Sequence, residues 1–144
     1  MRIPTLEDWG DINPDDLDAK WALKQFLGKS FAEAEDLFAS DALHYGEDVQ
    51  SMPRVVFSYY APALAKYLTS DRARGDSDGA SSFLHMLIYM LKNHPAVIAP
   101  DTKDILLKAA EHVANRQPFY EASVEIYGQF SELLAELRSI THVT

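Results

Sequence analysis

The sequence predicts an all-α protein: an irregular bundle of five or six helices around a central apolar helix at about 77–93. Three observations carry that prediction. No segment shows sustained period-two alternation, apolar residues recur at steps of three, four and seven through most of the chain, and capping and stop residues bracket those stretches independently. At 144 residues with 47% hydrophobic side chains, the chain has the size of one domain and can bury a core without metal or disulfide support. Residues 1–144 are therefore read as a single all-helical domain. The absence of a fixed-period repeat argues against a solenoid.

The first predicted helix runs over about 14–27. Asn13 is its expected cap, Pro14 suits its first position, and Asp15 and Asp16 complement the positive end of its dipole. Trp21, Leu23, Phe26 and Leu27 are its expected apolar stripe, and Gly28 its left-handed stop. Ser30 and Glu33 match a capping box for a second helix at about 31–40, with Phe31, Ala34, Leu37 and Phe38 on one face. A short helical turn is expected from Ala42 to Tyr45, ahead of Gly46.

Pro53 can open a third helix whose apolar positions Phe57, Tyr60, Ala61, Leu64 and Leu68 hold one phase across Pro62. That continuity favours one kinked helix over two, at a cost of about 3 kcal/mol for the missing amide and crowded ring. Asp71 to Asp78 is the one long polar run and the expected mobile loop. The fourth helix, about 77–93, is apolar on nearly all sides in its middle, and His94-Pro95 ends it. A fifth runs to about Asn115 behind Asp101, with Ile105, Leu106, Ala109 and Val113 on its core stripe. The sixth is expected to start at Pro118 and to continue to about Ser139, with Gly128 inside it at a close helix crossing.

Composition excludes several function classes. The chain has no cysteine, which removes disulfides, thiolate zinc sites and cysteine catalysis together. Its densest apolar stretch, Phe83 to Leu91, is far shorter than the roughly 20 residues a membrane span needs. The opening Met1-Arg2-Ile3-Pro4-Thr5 runs into Glu7-Asp8 without the pattern of a secretory signal, so a cytoplasmic protein is expected. A formal charge of -9 opposes binding to phosphate backbones, so no nucleic-acid partner is expected. That charge is concentrated: residues 1–50 carry 12 acidic side chains against 4 basic ones.

Few residues are arranged for chemistry. His44 and Glu47, three apart with Asp48 adjacent, have a ligand-like spacing, but Gly46 interrupts and no second histidine lies within a turn. They read as polar groups at a helix end, so neither a metal nor a cofactor is expected. His85 is the one polar residue inside the apolar fourth helix and is expected to be a satisfied core histidine. His94, His112 and His142 have no carboxylate at a useful spacing. Asp76, Ser77 and Asp78 lack the glycine and glutamate of a calcium loop, and Ser81 and Ser82 lack a nucleophile elbow. No catalytic residue is assigned, and a non-enzymatic protein is expected.

The acidic cluster Asp15, Asp16, Asp18, Glu33, Glu35 and Asp36 is the feature that exceeds packing. Part of it serves capping and dipole effects, and the rest can act as an electrostatic docking surface for a basic partner. Glu47 and Asp48 extend the candidate partner-binding set. Arg54 and Tyr59 join it because Phe57 and Tyr60 occupy the core phase of their helix, which leaves Arg54 and Tyr59 as the exposed pair of an aromatic-rich segment.

The run Trp21-Ala-Leu-Lys24-Gln-Phe26-Leu-Gly28-Lys29-Ser30, then Glu33 to Phe38, then Tyr45-Gly-Glu47-Asp48 and Met52-Pro53 with Phe57, Tyr59 and Tyr60, resembles a family of small uncharacterised bacterial helical proteins. Some of these resemble immunity partners of secreted toxins. The likeness covers about 40 residues, rests on caps, stops and core aromatics, and implies no catalytic residue. The leading expectation is thus a protein-interaction protein, with toxin neutralisation as its sharpest version and homo-oligomerisation compatible with it. The alternative is a small-ligand or regulatory module that uses a pocket between the third, fourth and sixth predicted helices, lined by Tyr60, His85, Tyr89 and Tyr127.

Overall fold

The computed structural model describes residues 1–141, and every regular element within them is helical. In chain order these are α1 (Leu6–Trp9), α2 (Leu17–Phe26), α3 (Phe31–Ser40), α4 (Ala42–Val49), α5 (Arg54–Leu68), α6 (Ser77–Asn93), α7 (Pro100–Ala114), α8 (Val124–Tyr127) and α9 (Phe130–Thr141), with short 3-10 turns at Asp71–Ala73, Pro95–Val97 and Gln117–Tyr120. The all-α bundle is as the sequence predicts. His142 lies outside the described residues.

Two helices share the interior. Ten of the 15 residues of α5 are buried, as are ten of the 17 of α6. α5 packs against α3 on one side and α7 on another, while α6 packs against α4 and α9. Apolar burial of this extent is the main stabilising term for such a bundle. α5 continues through Pro62, so the uninterrupted phase of Phe57, Tyr60, Leu64 and Leu68 prevails over the lost amide.

Buried tyrosines tie off helix ends. The last carbonyls of a helix have no partner within it, and the Tyr60 hydroxyl lies 2.8 Å from both the Phe26 and Lys29 carbonyls at the end of α2. Tyr120 donates likewise to the carbonyl of Leu68, the last residue of α5. Burial pushes both phenols up to about 12, so both stay protonated donors at any ordinary pH.

Several boundaries differ from expectation. α1 is stabilised by a capping box in which the Asp8 carboxylate accepts the Thr5 amide at 2.8 Å. α2 begins at Leu17 because Asp16, not Asn13, caps it through the Ala19 amide at 3.0 Å. Asn13 instead accepts the Asp15 amide two residues on, an Asx turn that places Pro14 outside the helix. The buried face of α2 is Ala19, Ala22 and Phe26, whereas Trp21 is 53% and Leu27 42% exposed. α4 runs past Tyr45 and through Gly46 as far as Val49. On α7, Ile105 is exposed while Leu106, Ala109 and Val113 are buried.

The polar run Asp71 to Asp78 is bonded at several points. The Gly75 amide donates to the Phe119 carbonyl at 3.0 Å, and Asp76 caps α6 through Gly79 while accepting the Tyr67 hydroxyl at 2.6 Å. The single helix expected over 118–139 is also corrected. Gly128 does not mark a helix crossing; it adopts φ +72° as the stop of α8, a conformation glycine alone adopts freely. Gln117 holds the break together: its side-chain amide donates to the Ala122 and Gly128 carbonyls at 2.9 and 2.8 Å, and its oxygen accepts the Phe130 amide at 2.8 Å.

Candidate acidic docking face

The acidic residues of the N-terminal third separate into groups with different surroundings. Glu33 is used by the cap of α3, where its carboxylate accepts the Ser30 amide at 2.9 Å; the bonds from Ser30 hold it below the usual carboxylate range. Asp16 is used by the cap of α2, and Asp15 lies exposed in the turn before it. Glu35 and Asp36 are neutralised within the chain: Glu35 pairs with Lys66 at 3.5 Å and Arg72 at 3.7 Å, and Arg72 reaches Asp36 at 3.1 Å.

Asp18, Glu47 and Asp48 differ. α2 packs on α4, so that Asp18 on one helix and Glu47 and Asp48 on the other border the same depression, of about 320 Å³. A second depression of about 370 Å³ is lined by the same three carboxylates with Trp21, Gln25 and His44. No lysine or arginine lies within ion-pair distance of these carboxylates among the described residues. Burial pushes the Asp48 carboxyl above its ordinary value; His44 opposes that shift, and Glu47 and Asp18 add to it. One oxygen of Asp48, Oδ2, is buried without a hydrogen-bond partner.

Trp21 supplies the apolar part of the face. Its ring holds the Lys24 ammonium over it at 4.8 Å, so it already acts as a cation platform. Sequence periodicity placed Trp21 in the core because the true stripe of α2 contains two alanines, which weigh little in such a pattern. The sequence signal that could have marked the face is the spacing itself: Asp18 stands three residues before Trp21 and Gln25 four after it on α2, and Glu47 and Asp48 stand three and four after His44 on α4.

The other candidate residues are dispersed. Tyr59 is not exposed as expected: it is 8% exposed, its hydroxyl accepts the Phe31 amide at 2.9 Å, and its ring meets Phe31 edge-on. The reason is that α5 is covered on the Tyr59 side by α3 as well as on its predicted core side. Arg54 is exposed but donates to the Ala96 carbonyl at 2.6 Å, and it lines neither acidic depression.

The four residues of the expected ligand pocket do not share a cavity. Tyr60 is fully buried and its hydroxyl is occupied. Tyr127 donates to Asp78 at 2.6 Å, with the Ser77 hydroxyl 3.0 Å away. His85 is exposed, not a core histidine. It lies with Tyr89 along the one solvent-facing edge of α6, beside a depression of about 290 Å³ bordered by Leu43, Gly46 and Leu64. That pocket lies against α4, where the expected one lay against the C-terminal helix.

Among the described residues, no three His, Asp or Glu side chains gather closely enough to hold a metal ion, and no helix is long and apolar enough to cross a membrane. Comparison with known protein families, curated proteins and solved structures finds no match to this chain.

Proposed function

We propose that this protein is a non-catalytic interaction protein that binds a basic protein partner through the face formed by α2 and α4. The observation that carries this reading is the contrast in ion pairing. Among the described residues, no lysine or arginine comes within ion-pair distance of Asp18, Glu47 or Asp48, which border one depression, although like charges near one another and the burial of Asp48 both cost stability. A basic partner would remove that cost and would be steered to the face by its field. Neutralisation of a basic toxin in the cytoplasm is the sharpest form of this proposal, in keeping with the immunity-type resemblance of the Trp21 to Tyr60 region.

The test is parallel co-purification with the wild-type chain and the Asp18→Asn/Glu47→Gln/Asp48→Asn variant. The expected result is a basic protein retained by the wild type, released by raised salt and absent from the variant. An identical set of retained proteins in both samples would contradict the reading.

A further inference from the structure

Neither backbone geometry nor packing requires a glycine at Gly46. The residue stands inside α4, buried, and is not among the glycines with positive φ, although glycine is the least favourable helix residue after proline. A helical glycine is commonly needed where a second helix crosses too closely for a methyl group. Here a methyl group fits: outside its own helix, a Cβ on Gly46 would meet only Leu64 Cδ2, at 3.9 Å, an ordinary contact. α6 packs on α4, yet no atom of α6 lies within 4 Å of that point. Interiors are close-packed, so a buried position with so few neighbours marks a gap between the two helices.

That gap is the depression of about 290 Å³ beside His85. Its inner wall is apolar, made by Gly46, by Leu64 of α5 and by Phe83 and Met86 of α6, all of them buried. Leu43 and Tyr89, large side chains that are 41% and 46% exposed, flank it. Polar groups are few and stand exposed at its mouth: Glu47, Gln50 and His85.

We propose that this depression binds an uncharged aromatic molecule of one or two rings that carries a hydroxyl or N–H group. Apolar walls with a few polar groups at the rim are the make-up of small-molecule sites, whose volumes begin at about 300 Å³. The size therefore admits only a small ligand. Phe83 and Tyr89 offer ring surfaces and Met86 a thioether, which favour an aromatic occupant over an aliphatic one. No lysine or arginine lines the site and Glu47 does, so an anion is disfavoured. His85 and Gln50 can each donate or accept a hydrogen bond, which suits one polar group at the edge of the ring. The proposal does not rest on the basic-partner reading of the α2–α4 face.

The probes are indole and phenol, with benzoate as the anionic control, titrated into the full-length chain isotope-labelled at its methionine methyl groups. The Met86 methyl resonance, assigned with the Met86→Leu variant, is expected to move upfield and saturate with indole or phenol, while that of Met52, which lies outside the depression, stays in place. Gly46→Ala separates the site from the fold, because its two effects have opposite signs. The added methyl group should raise the thermal midpoint by about 2–4 °C and weaken indole binding by about tenfold. A lowered midpoint would show that packing requires the glycine and would overturn the inference. Unchanged binding in Gly46→Ala, an equal response to benzoate, or no saturable Met86 shift at millimolar indole and phenol would overturn it as well.

Discussion

Glu35 and Asp36 on α3 and Asp18, Glu47 and Asp48 on α2 and α4 belong to the same acidic third of the chain, yet the fold treats them differently. The first pair is met by Lys66 of the long helix α5 and by Arg72 of the turn after it. The second group has no lysine or arginine within ion-pair distance among the described residues and is backed by an exposed tryptophan. Composition alone assigns both the same property. Which carboxylates remain available to a partner is decided by where the few cations of the middle third land.

The largest effect on that contrast is expected from the residue that joins the two regions. Phe26, at the end of α2, is fully buried and meets Phe38 of α3, Tyr45 of α4 and Tyr60 of α5. Phe26→Ala should cost about 3–5 kcal/mol, read as a lowered denaturant midpoint. It should also disturb both acidic groups together, since each is positioned from that corner.

A smaller difference separates the groups themselves. Glu35→Gln removes two surface ion pairs and should destabilise the chain by about 1 kcal/mol or less. Asp48→Asn should act in the opposite direction. A carboxyl whose folded-state pKa is raised favours its protonated form, so the folded chain gains stability as pH falls through that value and is penalised at neutral pH. With solvent screening, removing the charge should stabilise the chain by about 0.5 kcal/mol, or roughly 1–2 °C in thermal midpoint. Thermal melts of the two variants at neutral pH check the opposite signs.

The smallest effect concerns an acid that is fully engaged. Asp8 is held down to about 2, first by its hydrogen bond from Arg2, at 2.6 Å, and then by the Thr5 amide. Its contribution is present above the ordinary value of 3.8 and is lost as pH falls through about 2. Acid titration of α1, followed through the Trp9 signal, should show a step in that window that Asp8→Asn abolishes. Asp48→Asn should leave that step in place.

The helices were legible where the chain carries unambiguous caps. α3 starts at the Ser30–Glu33 box and α6 ends at His94-Pro95, because both signals act within a few residues and compete with nothing. The C-terminal half departs from expectation for the reverse reason: Tyr120, Val124, Tyr127, Leu134 and Leu137 keep helical steps across two breaks, one at the left-handed Glu121 and one at Gly128, and periodicity cannot register stops that Gln117 fastens from a distance. α1 was overlooked although Thr5 and Asp8 have capping-box spacing.

The candidate site was half legible. Asp18, Glu47 and Asp48 are legible from charge, and the spacing of His44 puts it with Glu47 and Asp48, but no sequence signal joins Trp21 and Gln25 on α2 to the acids of α4. Their proximity arises from the packing of α2 on α4 and from the loop before α5, contacts that no local pattern encodes. Tyr59 was misread because a helix buried on two sides has no polar phase to reveal its second neighbour.

The most direct test compares the two acidic groups under one titration. A capped peptide of about eight residues alternating lysine and glycine is titrated into the Glu35→Gln/Asp36→Asn variant and into the Asp18→Asn/Glu47→Gln/Asp48→Asn variant, with affinity read from tryptophan emission. The account predicts that neutralising the α3 pair changes affinity less than about twofold, while neutralising the α2–α4 group weakens it by about tenfold or more, equivalent to about 1.4 kcal/mol. Equal losses in the two variants would contradict it, since the face would then be a diffuse negative field and not a site.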